Sequence, residues 1–378
     1  MTDFDLPQHD TSGMRVAIVH YWLVGMRGGE RVLERLLQLF PQADIYTHVY
    51  VPENVSAAIR ARNVRTTFIN RIPGAAKHYQ KFLPLMPMAL EELDLTGYDL
   101  VISSESGPAK GVIVAPLATH VCYCHSPMRY LWDHYAAYKS TAGRLTRLAM
   151  PFIFHRMRTW DTASAARVDR IAANSRFVAG RVRKSWGREA DVVHPPVQVE
   201  EYGRSNEVSN RYLWLSQMTT YKRPDIALEA FNRMGVPALM VGDGEMYEQI
   251  ARDAGPTVEV RRRLPFAELK QAYATSRALV FTPEEDFGMV PVEVNASGRP
   301  VIAFGRGGAR DSLVDGETGL FFHEQSADCL IDALERFSGW EATFDPAAAI
   351  ANAQRFRGEV FDARFMATVN KALAGNRL

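Results

Sequence analysis

Short apolar runs alternate along this chain with stretches whose apolar positions return at helical spacing, the pattern of buried strands joined by crossover helices. The first run is Arg15 to His20, RVAIVH. It leads through YWLVGMRGG into GERVLERLLQLF, where Leu33, Leu36 and Leu37 form one helical stripe. Runs recur as IYTHV (45–49), RTTFI (65–69), DLVISS (99–104), HVCYC (120–124) and RIAANS (170–175). After DVVHPPV (191–197) the alternation restarts with YLWLS (212–216), ALMVG (238–242) and TVEV (257–260). Strands alternating with helices predict α/β architecture, two Rossmann-like domains with parallel sheets and right-handed crossovers. Pro195-Pro196 is a stiff connector and marks their boundary. The expected divisions are a loose polar tail over 1–13, a first domain over 14–195, a second over 196–354 and a C-terminal helix over 355–378.

The densest stretch is 277–322, RALVFTPEEDFGMVPVEVNASGRPVIAFGRGGARDSLVDGETGLFF. Ala278 to Phe281 reads as a strand, Met289 to Ala296 as a short helix, and Pro300 to Phe304 as a second buried strand. Phe287-Gly288-Met289 opens the helix, so the first N–H groups, through Val290, face whatever lies beyond the strand; such a helix start favours an anion. Glu285 and Glu293, with seven residues between them, bracket this turn. A carboxylate accepts hydrogen bonds from neighbouring hydroxyls. Two of them beside an anion site suit a nucleoside diphosphate sugar; the bland alternative is a pair of solvated surface carboxylates.

The Glu-x7-Glu spacing, the following GRPVIAFGRGG and the closing DGETGLFF resemble the retaining glycosyltransferases of family four. The resemblance implies the GT-B fold, two Rossmann-like domains facing across a cleft, with the C-terminal helix crossing back to the N-terminal domain. It places Glu285 at the transferred sugar, Glu293 at the ribose, and the helix-opening residues Phe287, Gly288, Met289 and Val290 at the donor. In SQMTTYKRPDIALEAF it assigns Lys222 to the donor diphosphate, although Lys222 could also be a plain surface lysine. Gln217 stands where the family carries an arginine, so one charge is absent or is supplied elsewhere, with Arg223 the candidate. Gly28 and Gly29 become donor-loop candidates by match, against the alternative of tight packing. Gly242 and Gly244, in a strand-to-helix turn, have the alternative of a simple capped turn. Arg263, ending Arg261-Arg262-Arg263, is a candidate for base or phosphate contact or part of a solvated face. His125 follows a strand at the carboxyl edge where ligands collect in open α/β sheets. The family has a histidine there near the transferred sugar. The string CHSPMRYLWDHYAAY (124–138) is most similar to bacterial mannosyltransferases that use GDP-mannose to build O-antigen or exopolysaccharide units on lipid carriers.

Composition narrows the partners. Among 378 residues, 44 Lys plus Arg against 43 Asp plus Glu give a formal charge of +1, so no global polycation is available for nucleic acid. Three cysteines cannot form a disulfide framework and suggest a reducing compartment. Alternation in HVCYC fits a strand better than a metal site at Cys122 and Cys124. No run approaches the roughly 18 apolar residues of a membrane span. Two stretches interleave basic and apolar residues, FINRIPGAAKHYQKFLPLMPMALEEL (68–93) and KSTAGRLTRLAMPFIFHRMRTW (139–160). Each is either an interfacial segment for an anionic membrane or an ordinary helix covering the sheet. The resulting expectation is a cytoplasmic enzyme, peripheral at the inner face of the cytoplasmic membrane. It transfers mannose from GDP-mannose, with retention and without a metal, to a polyprenyl-diphosphate-linked glycan acceptor. The alternatives are a UDP-sugar-dependent enzyme or epimerase of the same fold, and a non-catalytic sugar-nucleotide-binding scaffold.

Overall fold

The computed structural model describes residues 9–375, which form two units: one from the chain up to Pro196 together with Phe361 onward, the other from Val197 to Val360. The first eight residues of the expected tail lie outside the described residues. The rest of that tail is tied down: the His9 amide donates to Asn370 Oδ1 (3.2 Å) and Gln42 donates to the Thr11 carbonyl (2.8 Å).

The first unit is organised by seven strands: β1 (Val16–His20), β2 (Asp44–Thr47), β3 (Val64–Thr66), β4 (Leu100–Glu105), β5 (Thr119–Cys124), β6 (Arg170–Ala173) and β7 (Asp191–Val192). They pair in parallel in the order β3-β2-β1-β4-β5-β6-β7. β1, β4 and β5 are buried along their whole length, which explains their nearly continuous apolar runs. The Cys122 and Cys124 side chains pack with Val178, Val182 and Trp186, and burial pushes the Cys122 thiol up to about 12. The expected strand 65–69 stops at Thr66, because Phe68–Arg71 turns into a 3-10 helix that packs Phe68 and Ile69 on a satellite core.

The second unit repeats the plan with β8 (Tyr212–Leu215), β9 (Ala238–Val241), β10 (Val258–Arg261), β11 (Leu279–Phe281), β12 (Val301–Phe304) and β13 (Gly319–Phe322). All are parallel in the order β10-β9-β8-β11-β12-β13. In both sheets the first strand lies beside the fourth, so the strand order reverses between β1 and β4 and again between β8 and β11. The crevice outside the carboxyl ends at such a reversal is where open α/β sheets bind ligands.

The last helical stretch is divided. Pro346–Gln354 and Gly358–Gly375 are separate helices, and Phe356 between them belongs to the second unit's core, its carbonyl accepting the Val197 amide at 2.8 Å. Phe361, Phe365, Val369 and Ala372 join the first unit's core with Leu36 and Phe40. Three phenylalanines at helical spacing thus serve two cores.

The two basic-apolar segments also part ways. Residues 68–93 fold as short helical pieces whose Phe68, Ile72, Phe82 and Leu83 pack around buried Ile69, Ala75, Met86 and Ala89. The helix Arg144–Ala165 instead leaves Leu145, Leu148 and Phe152 at 86%, 73% and 74% exposure, on one face by their spacing. Among the described residues no helix is long and apolar enough to cross a membrane.

Candidate functional site

At the β8/β11 reversal, the loop after β8 carries Lys222 and the loop after β11 carries Glu285, and the two side chains form an ion pair. Lys222 is mostly buried and Glu285 about one quarter exposed, with side-chain exposures of 10% and 23%. Thr282 joins the loops: its hydroxyl donates to the Lys222 carbonyl (2.9 Å) and accepts from Trp214 Nε1 (2.9 Å). Residues assigned separately to phosphate and to sugar thus meet.

Beyond Glu285 the chain turns at Gly288 (φ 84°) into the helix Met289–Ala296. The Phe287 ring is buried against Phe356 at a centroid distance of 5.3 Å, so it anchors the turn and leaves only its backbone for a ligand. Met289 and Val290 are half-buried at the helix start. Glu293 is buried and accepts a hydrogen bond from Tyr273 Oη at 2.8 Å. The GRGG turn after β12 explains its glycines here: the Gly308 amide donates to the Glu285 carbonyl at 2.8 Å. A Cβ at Gly308 would lie 2.2 Å from Phe287 Cα, and one at Gly307 would lie 2.4 Å from the Glu285 carbonyl oxygen. Only glycine permits this backbone contact.

Other candidates are used by the fold. A Cβ at Gly242 would lie 1.9 Å from the Ser216 carbonyl oxygen, and one at Gly244 (φ 149°) 2.5 Å from that of Met218. These glycines clasp the loop that carries Lys222. Arg223 adopts a left-handed backbone (φ 55°), and its guanidinium is paired with Asp225 through bonds of 2.8 to 3.1 Å. Gln217 itself is exposed. Arg261 pairs with Glu259 and Glu268, and Arg262 with Asp243 and Glu248. Arg263 is exposed and has no ion pair among the described residues.

In the first unit, His125 sits one residue beyond β5, its amide donating to the Glu105 carbonyl (2.8 Å) and its carbonyl accepting from Asn174 Nδ2 (2.9 Å). Its Nε2 lies 2.9 Å from Ser104 Oγ, and Ser104 Oγ lies 3.0 Å from His20 Nδ1. His20 and Ser104 are register partners across β1 and β4, at this sheet's own reversal. Glu30 follows from the helix Gly28–Leu39: Oε2 accepts the Arg27 amide (2.8 Å) and Oε1 lies 3.7 Å from His20 Nε2. Burial pushes the Glu30 carboxyl up, but His20 and the backbone amides outweigh it and hold it below the usual range. Gly28 opens that helix and is exposed. Gly29 is a packing glycine, since a Cβ there would lie 2.2 Å from Tyr21 Oη. Deeper in the unit, Lys110 pairs with Glu105 and Asp161, all three fully buried. Burial alone would lower the Lys110 pKa, but the two carboxylates raise it.

Tyr273, Thr282, Ser104, His20 and Glu30 were not among the candidates taken from the sequence. Strand alternation could have placed His20 at the end of a buried strand, but nothing local marks Tyr273 or Ser104.

Residues 26–201 match the Glycosyltransferase Family 4 profile and residues 209–338 the Glycosyl transferases group 1 profile. The chain therefore carries the paired domains of glycosyltransferases in the GT-B fold. Among proteins it resembles, alpha-1,3/1,6-mannosyltransferase alg-2 of Neurospora crassa is 27% identical over 264 residues, 55% of this chain and 54% of that protein. The chain spans about half the length of the curated relatives it matches. Among solved structures, sucrose-phosphate synthase from Thermosynechococcus elongatus has a TM-score of 0.72 at 15% identity, covering 96% of this chain and 100% of that one. Anabaena Alr3699/HepE in complex with UDP has a TM-score of 0.66 at 18% identity, covering 95% and 100%.

Proposed function

We propose that this protein is a retaining glycosyltransferase that moves mannose from GDP-mannose to a lipid-linked glycan acceptor. The observation that carries the reading is the meeting of Lys222 and Glu285 at the β8/β11 reversal, beside the start of the helix that holds Glu293. An incoming diphosphate offers Lys222 a more highly charged partner than one carboxylate. Glu285 is then released to accept hydrogen bonds from the sugar hydroxyls, while Glu293, oriented by Tyr273, accepts those of the ribose. Departure of the diphosphate builds negative charge on the β-phosphate. Lys222 and the Met289 and Val290 amides would stabilise it, each preorganised donor contributing about 3 kcal/mol. The acceptor hydroxyl attacks from the face the diphosphate leaves, which gives retention without a protein nucleophile, and His125 serves the transferred sugar.

The likeness to the alg-2 mannosyltransferase supports mannose. The UDP-bound fold neighbour favours a UDP-sugar as the second reading. Thermal shifts with GDP, UDP and ADP separate them, since a ligand at 100 times its dissociation constant stabilises by about 2.7 kcal/mol. A shift with GDP alone is expected; UDP preference removes mannose, and no shift with any nucleotide favours the silent scaffold. Full turnover in EDTA is expected, because Lys222 and helix amides carry the leaving-group charge; loss restored by Mn²⁺ or Mg²⁺ would overturn that part.

For the acceptor, we infer a polyprenyl-diphosphate-linked glycan met at the inner face of the cytoplasmic membrane. Exposed Leu145, Leu148 and Phe152, interleaved with Arg144, Arg147 and Arg156, suit an anionic interface. Co-sedimentation with phosphatidylglycerol vesicles should be lost in Leu148→Ser/Phe152→Ser; equal binding by that variant removes this helix from the reading.

A further inference from the structure

The turn after β11 and the helix it opens are rich in negative charge: Glu284, Glu285, Asp286 and Glu293 fall within ten residues. A nucleoside diphosphate is itself negative on both phosphates, and carboxylates so close raise the cost of admitting it unless cations offset them. Lys222 is one such cation. Gln217 is uncharged where the family has an arginine, and Arg223 is paired with Asp225.

Arg306 stands in the GRGG turn after β12, the strand paired with β11. Backbone bonds fix this turn on both sides: the Gly305 amide donates to the Phe322 carbonyl and the Gly308 amide to the Glu285 carbonyl, each at 2.8 Å. A Cβ at Gly305 would lie 3.1 Å from Phe321 Cβ, and one at Gly307 would lie 3.2 Å from Glu284 Cγ. Arg306 therefore carries the sole side chain of a turn pressed against the acidic loop, and it is exposed. Among the described residues that side chain makes no hydrogen bond or ion pair, and its guanidinium carbon lies 5.9 Å from the centroid of the Phe304 ring. Phe304 shares a core with Trp214, whose Nε1 donates to the Thr282 hydroxyl that holds the Lys222 carbonyl, so the guanidinium leans to the face of the sheet that carries Lys222. Arg263, the other exposed cation without an ion pair noted at this sheet, follows β10, two strands from β8, whereas β12 adjoins β11. With neighbouring strands about 4.8 Å apart, Arg306 starts nearer the reversal. We propose that Arg306 is a donor-binding residue whose guanidinium, together with Lys222, holds the diphosphate and supplies the charge that Gln217 does not. Its planar fork suits two phosphate oxygens at once. The inference rests on the reading of the β8/β11 crevice as a nucleoside diphosphate site.

The test is titration calorimetry of the full chain with GDP and with UDP. Arg306→Gln should weaken binding of the nucleotide that the wild type prefers by about tenfold or more, because a bond between two charged groups is lost. The difference from the wild type should shrink as salt is raised, and the melting temperature should not move, since the side chain is exposed. Arg306→Lys restores the charge without the fork and should recover part of the affinity. Adding Gln217→Arg to Arg306→Gln should recover most of it, because the two positions serve the same phosphates. Unchanged affinity in Arg306→Gln overturns the proposal; loss of binding in Lys222→Ala in the same experiment would leave the site reading standing without it. A loss that neither Arg306→Lys nor Gln217→Arg recovers marks a structural effect and overturns the proposal as well. A wild type that binds neither nucleotide removes the site reading, and this inference with it.

Discussion

The two sheets share a strand order and put side chains at equivalent reversals, yet the two sites are chemically opposite. At β1/β4 the buried Ser104 hydroxyl lies within hydrogen-bond distance of buried His20 and half-buried His125, with the Glu30 carboxylate 3.7 Å from His20 Nε2. At β8/β11 the groups are a full cation and anion, paired across two loops, the lysine mostly buried and the carboxylate about one quarter exposed. A buried hydroxyl held between two rings leaves those side chains few alternative arrangements. The Lys222 ammonium, mostly buried, needs an anionic partner, and the partly exposed Glu285 carboxylate is one that an incoming anion can replace. Under the proposed function the first cluster would orient and the second would bind the charge of the donor.

That contrast is open to attack. Lys222→Ala should cut turnover by about 100-fold or more while the melting temperature stays near that of the wild type. Near-normal turnover would place the diphosphate elsewhere and end the comparison. Acid should separate the units next. Burial lowers His48 to about 4 and His120 to about 3, the Pro108 carbonyl only partly opposing it at His48. Above an unfolded pKa of about 6.5 both are neutral in either state. As pH falls from there toward 4 the unfolded chain binds the protons first, so the first unit loses up to about 1.4 kcal/mol per pH unit for each histidine. The second unit has the single exposed His323. Hydrogen exchange between pH 7 and 5 should show the first unit opening earlier; equal loss in both would remove the asymmetry.

Gly308→Ala tests how closely the second site is built. Its Cβ would press on Phe287 backbone, shift the Glu285 turn and weaken GDP binding by about tenfold, read by titration calorimetry. Unchanged affinity would mean that the turn is not part of the donor site. The smallest effect belongs to Tyr273→Phe, which removes one bond to a buried carboxylate and should raise the GDP dissociation constant about fivefold. No change there would separate Glu293 from the nucleotide.

Strand alternation was enough to find nearly every strand and the join at Pro195-Pro196, because a strand buried on both faces leaves a continuous apolar run that needs no partner to be recognised. The Glu-x7-Glu spacing likewise brought Glu285 and Glu293 into one turn, since loop and helix are contiguous in the chain. Contacts between distant segments were not legible in this way. Lys222 meets Glu285 because β8 and β11 become neighbours, and Ser104 meets His20 through a register between strands more than eighty residues apart. Tyr273 has no local mark, and its value comes from facing Glu293. The three phenylalanines of the last stretch have one helical period, but the break between Gln354 and Gly358 sends them to two cores. Local hydrophobic period is a property of neighbours in the chain and survives without a fold. Which charges pair and which glycines are pressed by backbone depend on neighbours in space, and only packing supplies those.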